Sequence, residues 1–434
     1  MCCHGDPLSA QTYTTLVSFN STNGSAPFGA LVQGADGNFY GTTCDGGTAN
    51  RGTIFKMTPA GALTTLHSFD LTDGACPYAG LLLAANGNFY GTTYGGGTNS
   101  NFGTIFEITP AGALTTLNEL SPPDGALSFG GLVQAADGDL YGTTWGGGAG
   151  LYGTVFRMTP AGALTTLYGF DYADGAYPYD SLVQAADGTF FGTTQQGGAG
   201  VGVGTVFGIT PAGVLATLHS FDQSDGQWPQ AGMVLSSNGN FYGATPRGGP
   251  AGKGAIFEIS RQGTLTGLSD YGSPCALIEA SDGDLYGVTN GGQTHGYGSI
   301  FRLTPTGALT TVHNFNSAEG IPAAALLEAT DGNFYGTTNV GGSGPGTVFR
   351  LSLGLAPFVK TVPAAGPVGT PVTILGTNLA GLVSVTFNGT PAGITFRSPT
   401  EISTSVPPGA TTGKIQVTTP SGTLSSNAAF LVTP

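Results

Sequence analysis

Three short acidic turns are the first features of this 434-residue chain that could do chemistry. Asp70-Leu71-Thr72-Asp73-Gly74, Asp171-Tyr172-Ala173-Asp174-Gly175 and Asp222-Gln223-Ser224-Asp225-Gly226 each place two carboxylates ahead of a glycine. Such a pair can hold calcium, a hard cation that collects oxygen ligands, with the weak affinity of extracellular modules, roughly 10⁻⁴ to 10⁻³ M. The competing reading is that each Asp closes its own turn as an Asx motif. The spacing matches no EF-hand or nonapeptide calcium loop, which favours the turn. His67, His219 and His313 occupy one equivalent position in three copies of a repeat, so they diverge and form neither a triad nor a metal site. Glu279 and Glu328 could serve as a carboxylate pair for glycoside chemistry. Gln33, Gln134 and Gln184 hold the same position in other copies, which points instead to drift at one structural position. No Gly-x-Ser-x-Gly elbow, His-Glu-x-x-His or phosphate loop occurs in the sequence.

The repeat that carries these residues reads Leu-Val-Gln-Ala-x-Asp-Gly-Asn-Phe-Tyr-Gly-Thr-Thr, a glycine-rich loop, Gly-Thr-Val-Phe-x-x-Thr-Pro-Ala-Gly, then Ala-Leu-Thr-Thr-Leu-x-x-Phe. The glycine of its tyrosine-glycine step recurs as Gly41, Gly91, Gly142, Gly192, Gly243, Gly287 and Gly336. Asp-Gly or Asn-Gly, from Asp36-Gly37 to Asp331-Gly332, joins the first two strands of every copy through the positive φ angles of a tight hairpin. The third strand carries a phenylalanine, Phe55 in the first copy, and Thr58-Pro59-Ala60-Gly61 turns the chain into a fourth strand, Leu63 to Phe69. Four antiparallel strands in roughly 50 residues is the grammar of a propeller blade. The first fourth-strand, Tyr13 to Phe19, precedes the first hairpin, and the last copy ends near Leu353 without one. The N-terminal strand is therefore expected to complete the seventh blade and cover its open edge.

In a propeller, the loops from second to third strand and those between blades open on one face, and there the copies differ. After Gly-Thr-Thr stand Cys44, Tyr94, Trp145, Gln195, Pro246, Asn290 and Asn339. Before the proline that opens each copy, or its equivalent, stand Ala26, Cys76, Leu127, Tyr177, Trp228, Ser273 and Ile321. Tyr94, Trp145, Tyr177 and Trp228 are the candidate ligand-binding residues, since aromatics around a shallow funnel can stack on sugar rings. The alternative is that they fill the rim. Cys44 and Cys76 come from neighbouring blades on this face and could form a disulfide in an oxidising compartment.

These copies closely resemble the GloVer (choice-of-anchor) tandem-repeat family over about residues 12–354, through the ordered set Gly-Asn-Phe-Tyr-Gly-Thr-Thr, Gly-Gly-Gly and Gly-Thr-Val-Phe-x-x-Thr-Pro. That resemblance implies an extracytoplasmic location and no catalytic residue. After Gly354 the grammar changes to short alternating strands such as Val372-Thr373-Ile374-Leu375 and Val383-Ser384-Val385-Thr386-Phe387. Residues 355–434 closely resemble the IPT/TIG immunoglobulin-like family, whose members in exported bacterial proteins look like spacers and stalks.

Composition narrows the partners. A net charge of −14, from 11 Lys+Arg against 25 Asp+Glu, repels phosphate backbones and anionic lipid, so nucleic acid is excluded. No apolar run of about 18 residues exists to insert into a membrane. Pro7-Leu8-Ser9-Ala10-Gln11, in an N-terminal segment of residues 1–11, resembles the small-residue tail of a secretory signal. The expectation is an all-β chain: a seven-bladed β-propeller of four-stranded blades at 12–354, closed by its N-terminal strand, plus a C-terminal Ig-like β-sandwich at 355–434. Its expected role is a secreted or cell-surface, non-catalytic module contacting an extracellular glycan or surface protein, with no cofactor beyond calcium. The alternative is a propeller enzyme acting on polysaccharide as lyase or hydrolase.

Overall fold

The computed structural model describes residues 11–98, 101–270, 272–291, 296–341 and 344–433. Most of the 1–11 segment, and His4 and His295, lie outside them. Among the described residues there is no helix, and hence none long and apolar enough to cross a membrane. The strands of the described residues form nine sheets, seven from the repeats and two from the C-terminal segment. The first repeat sheet runs Val32–Gln33, Phe39–Thr43, Thr53–Met57, Leu63–Ser68, and the next five follow the same order. The fourth adds a short strand, Ala176–Pro178. The seventh takes its outer strand from the N-terminus: Thr12–Ser18 pairs antiparallel with Thr347–Ser352, Tyr13 opposite Leu351 and Ser18 opposite Thr347.

The repeated residues dictate this geometry. In every copy the second-strand glycine lies directly across the ladder from the third-strand phenylalanine, as Gly41 opposite Phe55 and Gly142 opposite Phe156. The ring folds over the glycine so closely that a Cβ on Gly142 would sit 2.6 Å from Phe156 Cζ, and only glycine leaves room for it. Two residues on, threonine hydroxyls pair across the same two strands: Thr43 with Thr53 at 2.8 Å, Thr144 with Thr154 at 2.8 Å. The hairpin is tied too. Tyr141 donates its hydroxyl to Asp137, and Tyr286 to Asp282. Where the turn is Asn-Gly, the carboxylate moves to the third strand, and Tyr90 donates to Glu107 and Tyr242 to Glu258. Burial, then the adjacent carboxylate, pushes the Tyr90 and Tyr141 hydroxyls up to about 12, so both remain protonated donors.

Five of the seven seams between consecutive repeat sheets pack face to face through one recurring aromatic pair, among them Tyr40 on Phe89, Tyr141 on Phe190 and Tyr335 on Phe39, each with centroids 4.1 Å apart. At the other two, Leu140 and Leu285 pack on Tyr90 and Tyr242. The pair of Tyr335 and Phe39 joins the seventh sheet to the first, and one apolar cluster runs from Val348 and Tyr335 to Phe39 and Phe55. The sheets therefore close a ring. Polar side chains at the inner edge add staples between neighbours. Gln33 donates to Thr330 Oγ1 and accepts from Thr330 N–H, and Gln134 accepts from Ala85 N–H.

The C-terminal segment forms two sheets, ordered Lys360–Val362, Pro371–Leu375, Glu401–Ser405, Ile394–Arg397 and Ala365–Gly366, Gly422–Val432, Gly413–Thr419, Ser384–Phe387, Thr390–Ala392. Between them lies a core of Val372, Ile374, Val385, Phe387, Ile415 and Phe430. This pair sits on the hairpin end of the ring, at its closure. Thr400 Oγ1 donates to Ala35 O at 2.9 Å, the Thr377 and Thr330 hydroxyls meet at 3.1 Å, and Leu375 joins the cluster of Tyr40 and Phe89.

Candidate functional site

The other end of the ring is a funnel shaped by an unusual backbone. Ala26, Cys76, Leu127, Tyr177, Trp228 and Ser273, each just ahead of the residue that opens a copy, all take left-handed φ values between 51° and 60°. Such angles are disfavoured for side chains other than glycine. They are held by hydrogen bonds to the preceding sheet: Cys76 N–H to Arg51 O at 2.8 Å, Tyr177 N–H to Tyr152 O at 2.7 Å, Trp228 N–H to Val203 O at 2.8 Å. The residue after the proline consequently turns toward the axis.

A cavity of about 440 Å³ lies on that axis, lined by residues of all seven repeat sheets. On one side stand Phe28, Tyr78, Phe129 and Tyr179, half-buried and in contact with one another. Phe28 stacks on Tyr78 at 4.6 Å and Phe129 on Tyr179 at 4.6 Å, while Tyr78 meets Phe129 edge-on at 5.0 Å. Tyr179 donates its hydroxyl to that of Tyr78 at 3.2 Å. Opposite stand Gln230, Asn290 and Asn339 with the free thiol of Cys275, which burial pushes up to about 12 and keeps protonated. Desolvation also raises Asp180 above its ordinary value, against hydrogen bonds from Ser181 and Gly232.

The candidates named from sequence are only partly brought together. Trp145 stacks on Tyr177 at 4.5 Å, and Phe129 links them to Tyr94, at 6.3 Å from Trp145 and 4.7 Å from Tyr94. Trp228 joins none of these rings among the described residues and lies under the Arg247 guanidinium at 4.8 Å. Cys44 and Cys76 are disulfide-bonded, joining the first two sheets. Sequence reasoning missed the four axial aromatics. They stand two residues further on, at the position after the proline, or after Ser128 in the third copy, rather than before it.

The acidic turns are internally satisfied. Asp70 Oδ1 accepts from Thr72 N–H at 2.9 Å and Thr72 Oγ1 at 2.6 Å, and Asp73 Oδ1 accepts from Asp70 N–H at 3.0 Å. The Thr72 hydroxyl is the largest cause holding Asp70 below the usual carboxylate range, as the Ser224 hydroxyl is for Asp222. The Asp171 and Asp174 turn repeats the pattern. The second acid of each turn reaches the outermost strand: Asp73 meets His67 at 2.7 Å, Asp225 meets His219 at 2.8 Å, Glu319 meets His313 at 3.2 Å, and Asp174 accepts from the Tyr168 hydroxyl. Among the described residues no three His, Cys, Asp or Glu gather as a metal site. Glu279 and Glu328 are both engaged with the neighbouring sheet's turn, Glu279 by Ser236 and Ser237 and Glu328 by Ser281, which makes them staples between sheets.

The family described as the Gloeobacter/Verrucomicrobia repeat matches residues 6–135, 103–274 and 264–398. No curated protein matches the chain. Among solved structures, a streptogramin B lyase is similar at 14% identity over 79% of this chain and 97% of that chain, with a TM-score of 0.55. A fungal alcohol oxidase of the AA5 family, in complex with copper, is similar at 14% identity over 99% of this chain and 100% of that chain, with a TM-score of 0.54. At such identity the likeness establishes a β-propeller fold and carries no activity across.

Proposed function

The chain belongs to the Gloeobacter/Verrucomicrobia repeat family, and from that premise we propose that it is a secreted or cell-surface binding module without catalytic activity. In this reading the seven repeat sheets are the blades of one propeller closed by the N-terminal strand, and the C-terminal sheets are an IPT/TIG immunoglobulin-like sandwich. The funnel face contacts an extracellular glycan or surface protein. The observation that carries the reading is the aromatic crescent of Phe28, Tyr78, Phe129 and Tyr179, continued outward by Tyr94, Trp145 and Tyr177. Half-buried rings beside amide side chains are the usual equipment for holding a sugar or a protein anchor. The Cys44–Cys76 bond favours an oxidising compartment. Calcium at the acidic turns is not required, because their carboxylates already serve the backbone. The polysaccharide-enzyme alternative loses its carboxylate pair to the staples made by Glu279 and Glu328.

The test is a glycan array and a pull-down from the extracellular fraction. Binding should fall about tenfold or more in Phe129→Ala and Trp145→Ala, since aromatic anchors carry much of such contacts. Trp228→Ala should change it little. Binding that survives Phe129→Ala and Trp145→Ala, but disappears when residues 356–434 are removed, moves recognition to the sandwich and defeats this reading.

A further inference from the structure

The wall of the axial cavity is chemically two-sided. Sheets one to four supply the aromatic crescent, and sheets five to seven supply Gln230, Asn290 and Asn339. Among its described lining residues there is no lysine or arginine. The acid among them, Asp180, has its oxygens taken by Ser181 N–H at 2.6 Å and Gly232 N–H at 2.7 Å. An anionic ligand would lose its hydration here without meeting a cation, inside a chain of net charge −14. A neutral polyhydroxylated ring suits both walls, with its apolar face on the crescent and its hydroxyls on the amides. The polar wall offers both donors and acceptors through the side-chain amides of Gln230, Asn290 and Asn339.

Shape restricts the ligand further. Because all seven sheets contribute to the wall, the cavity is enclosed around the ring axis and is approached along it. Its volume of about 440 Å³ is that of a small-molecule site. An internal unit of a glycan lying across the funnel carries chain on both sides, and the enclosing walls keep it out. A terminal unit carries chain on one side only and enters end-on.

We propose that the cavity recognises chain ends: it takes the terminal sugar of a neutral glycan, threaded along the ring axis, with its hydroxyls against the amides of Gln230, Asn290 and Asn339. This rests on the funnel face being a glycan contact. The experiment is isothermal titration of the full chain with soluble β-1,4-glucan, β-1,4-mannan, β-1,4-xylan and polygalacturonate, each as a short oligomer and as a long polymer. At least one neutral series should bind with a stoichiometry that follows the number of chains and not their length, and polygalacturonate should not bind. Asn339→Leu should weaken that binding by at least about tenfold. Gln230→Ala, on a half-buried wall residue, should weaken it as well with an unchanged melting temperature, which guards against a misfolded Asn339 variant. Protein bound in proportion to chain length, lost in Phe129→Ala but indifferent to Asn339→Leu and Gln230→Ala, would overturn end recognition while leaving the face a glycan contact. No binding to any neutral series would overturn end recognition and leave the face to the protein partner sought by pull-down.

Discussion

The interior of each seam between sheets and the rim of the same seam are built on opposite plans. Inside, the ring repeats itself: Tyr40 on Phe89, Tyr141 on Phe190 and Tyr335 on Phe39 have the same centroid separation of 4.1 Å, and a glycine sits under each third-strand phenylalanine. At the rim, two repeat positions meet as a disulfide between Cys44 and Cys76 at the first seam and as a stack of Trp145 on Tyr177 at the third. Close packing leaves the interior few alternatives, whereas half-exposed rim positions can vary without closing or opening the ring. Difference among near-identical copies is thus a guide to where recognition can reside.

The comparison breaks most severely at the seventh seam, where a strand distant in sequence supplies the outer edge. Removing residues 1–19 takes away the Thr12–Ser18 strand and Phe19, which is buried in the cluster joining sheets seven and one. Aggregation or loss of a cooperative melting transition is expected, seen by light scattering and calorimetry. A monomeric truncation with unchanged melting would mean that the ring closes elsewhere.

Next in size is the covalent rim. Reduction, or Cys44→Ser, should cost about 2–4 kcal/mol, because the bond closes a loop with a sequence separation of 32. Chemical denaturation with and without reductant measures it. A negligible change would show the rim to be decorative for stability even where it is cross-linked.

Gly142→Ala probes the interior directly. The new methyl would lie 2.6 Å from a Phe156 ring that is fully buried, and a loss of about 1–3 kcal/mol is expected from overpacking. Trp145→Ala at the rim should cost clearly less in the same denaturation series. Equal losses would erase the distinction between the two regions.

The smallest effect sharpens the comparison with a natural lapse. In the fifth sheet the hydroxyl pair is missing: Thr245 faces Ala255, and its hydroxyl bonds only to that residue's backbone, accepting from its N–H at 3.2 Å and donating to its carbonyl at 3.4 Å. Ala255→Thr should restore the hydroxyl pair and raise stability by about 1 kcal/mol. An unchanged melting temperature would mean that these buried pairs set register without adding stability.

Much of this was readable from the residues. The repeated glycine, the Asp-Gly turns and the displaced first strand required only hairpin chemistry and the cost of an open edge. Placing two rim positions on adjacent copies left a Cys44–Cys76 bond open as a possibility, which the structure settles. The axial ring was not readable, because it depends on left-handed backbone at residues such as Tyr177 and Trp228, with φ of 60° and 57°. Nothing in those side chains announces such a conformation. It is fixed by hydrogen bonds to the preceding sheet, a tertiary contact, and it turns Tyr179 rather than Tyr177 toward the axis. The tie from Asp73 to His67 was hidden for a related reason: the fourth strand and the turn after it face each other only once the blade is twisted into place.

The seat of the C-terminal sheets has a mechanical consequence. Thr400 bonded to Ala35, and Thr377 to Thr330, fasten that pair to the first and seventh sheets, which the N-terminal strand must hold together. A pull on the last strand, Gly422–Val432, therefore reaches the ring at its one non-contiguous joint, spread over both flanks of the seam and not concentrated on the peptide after Leu353.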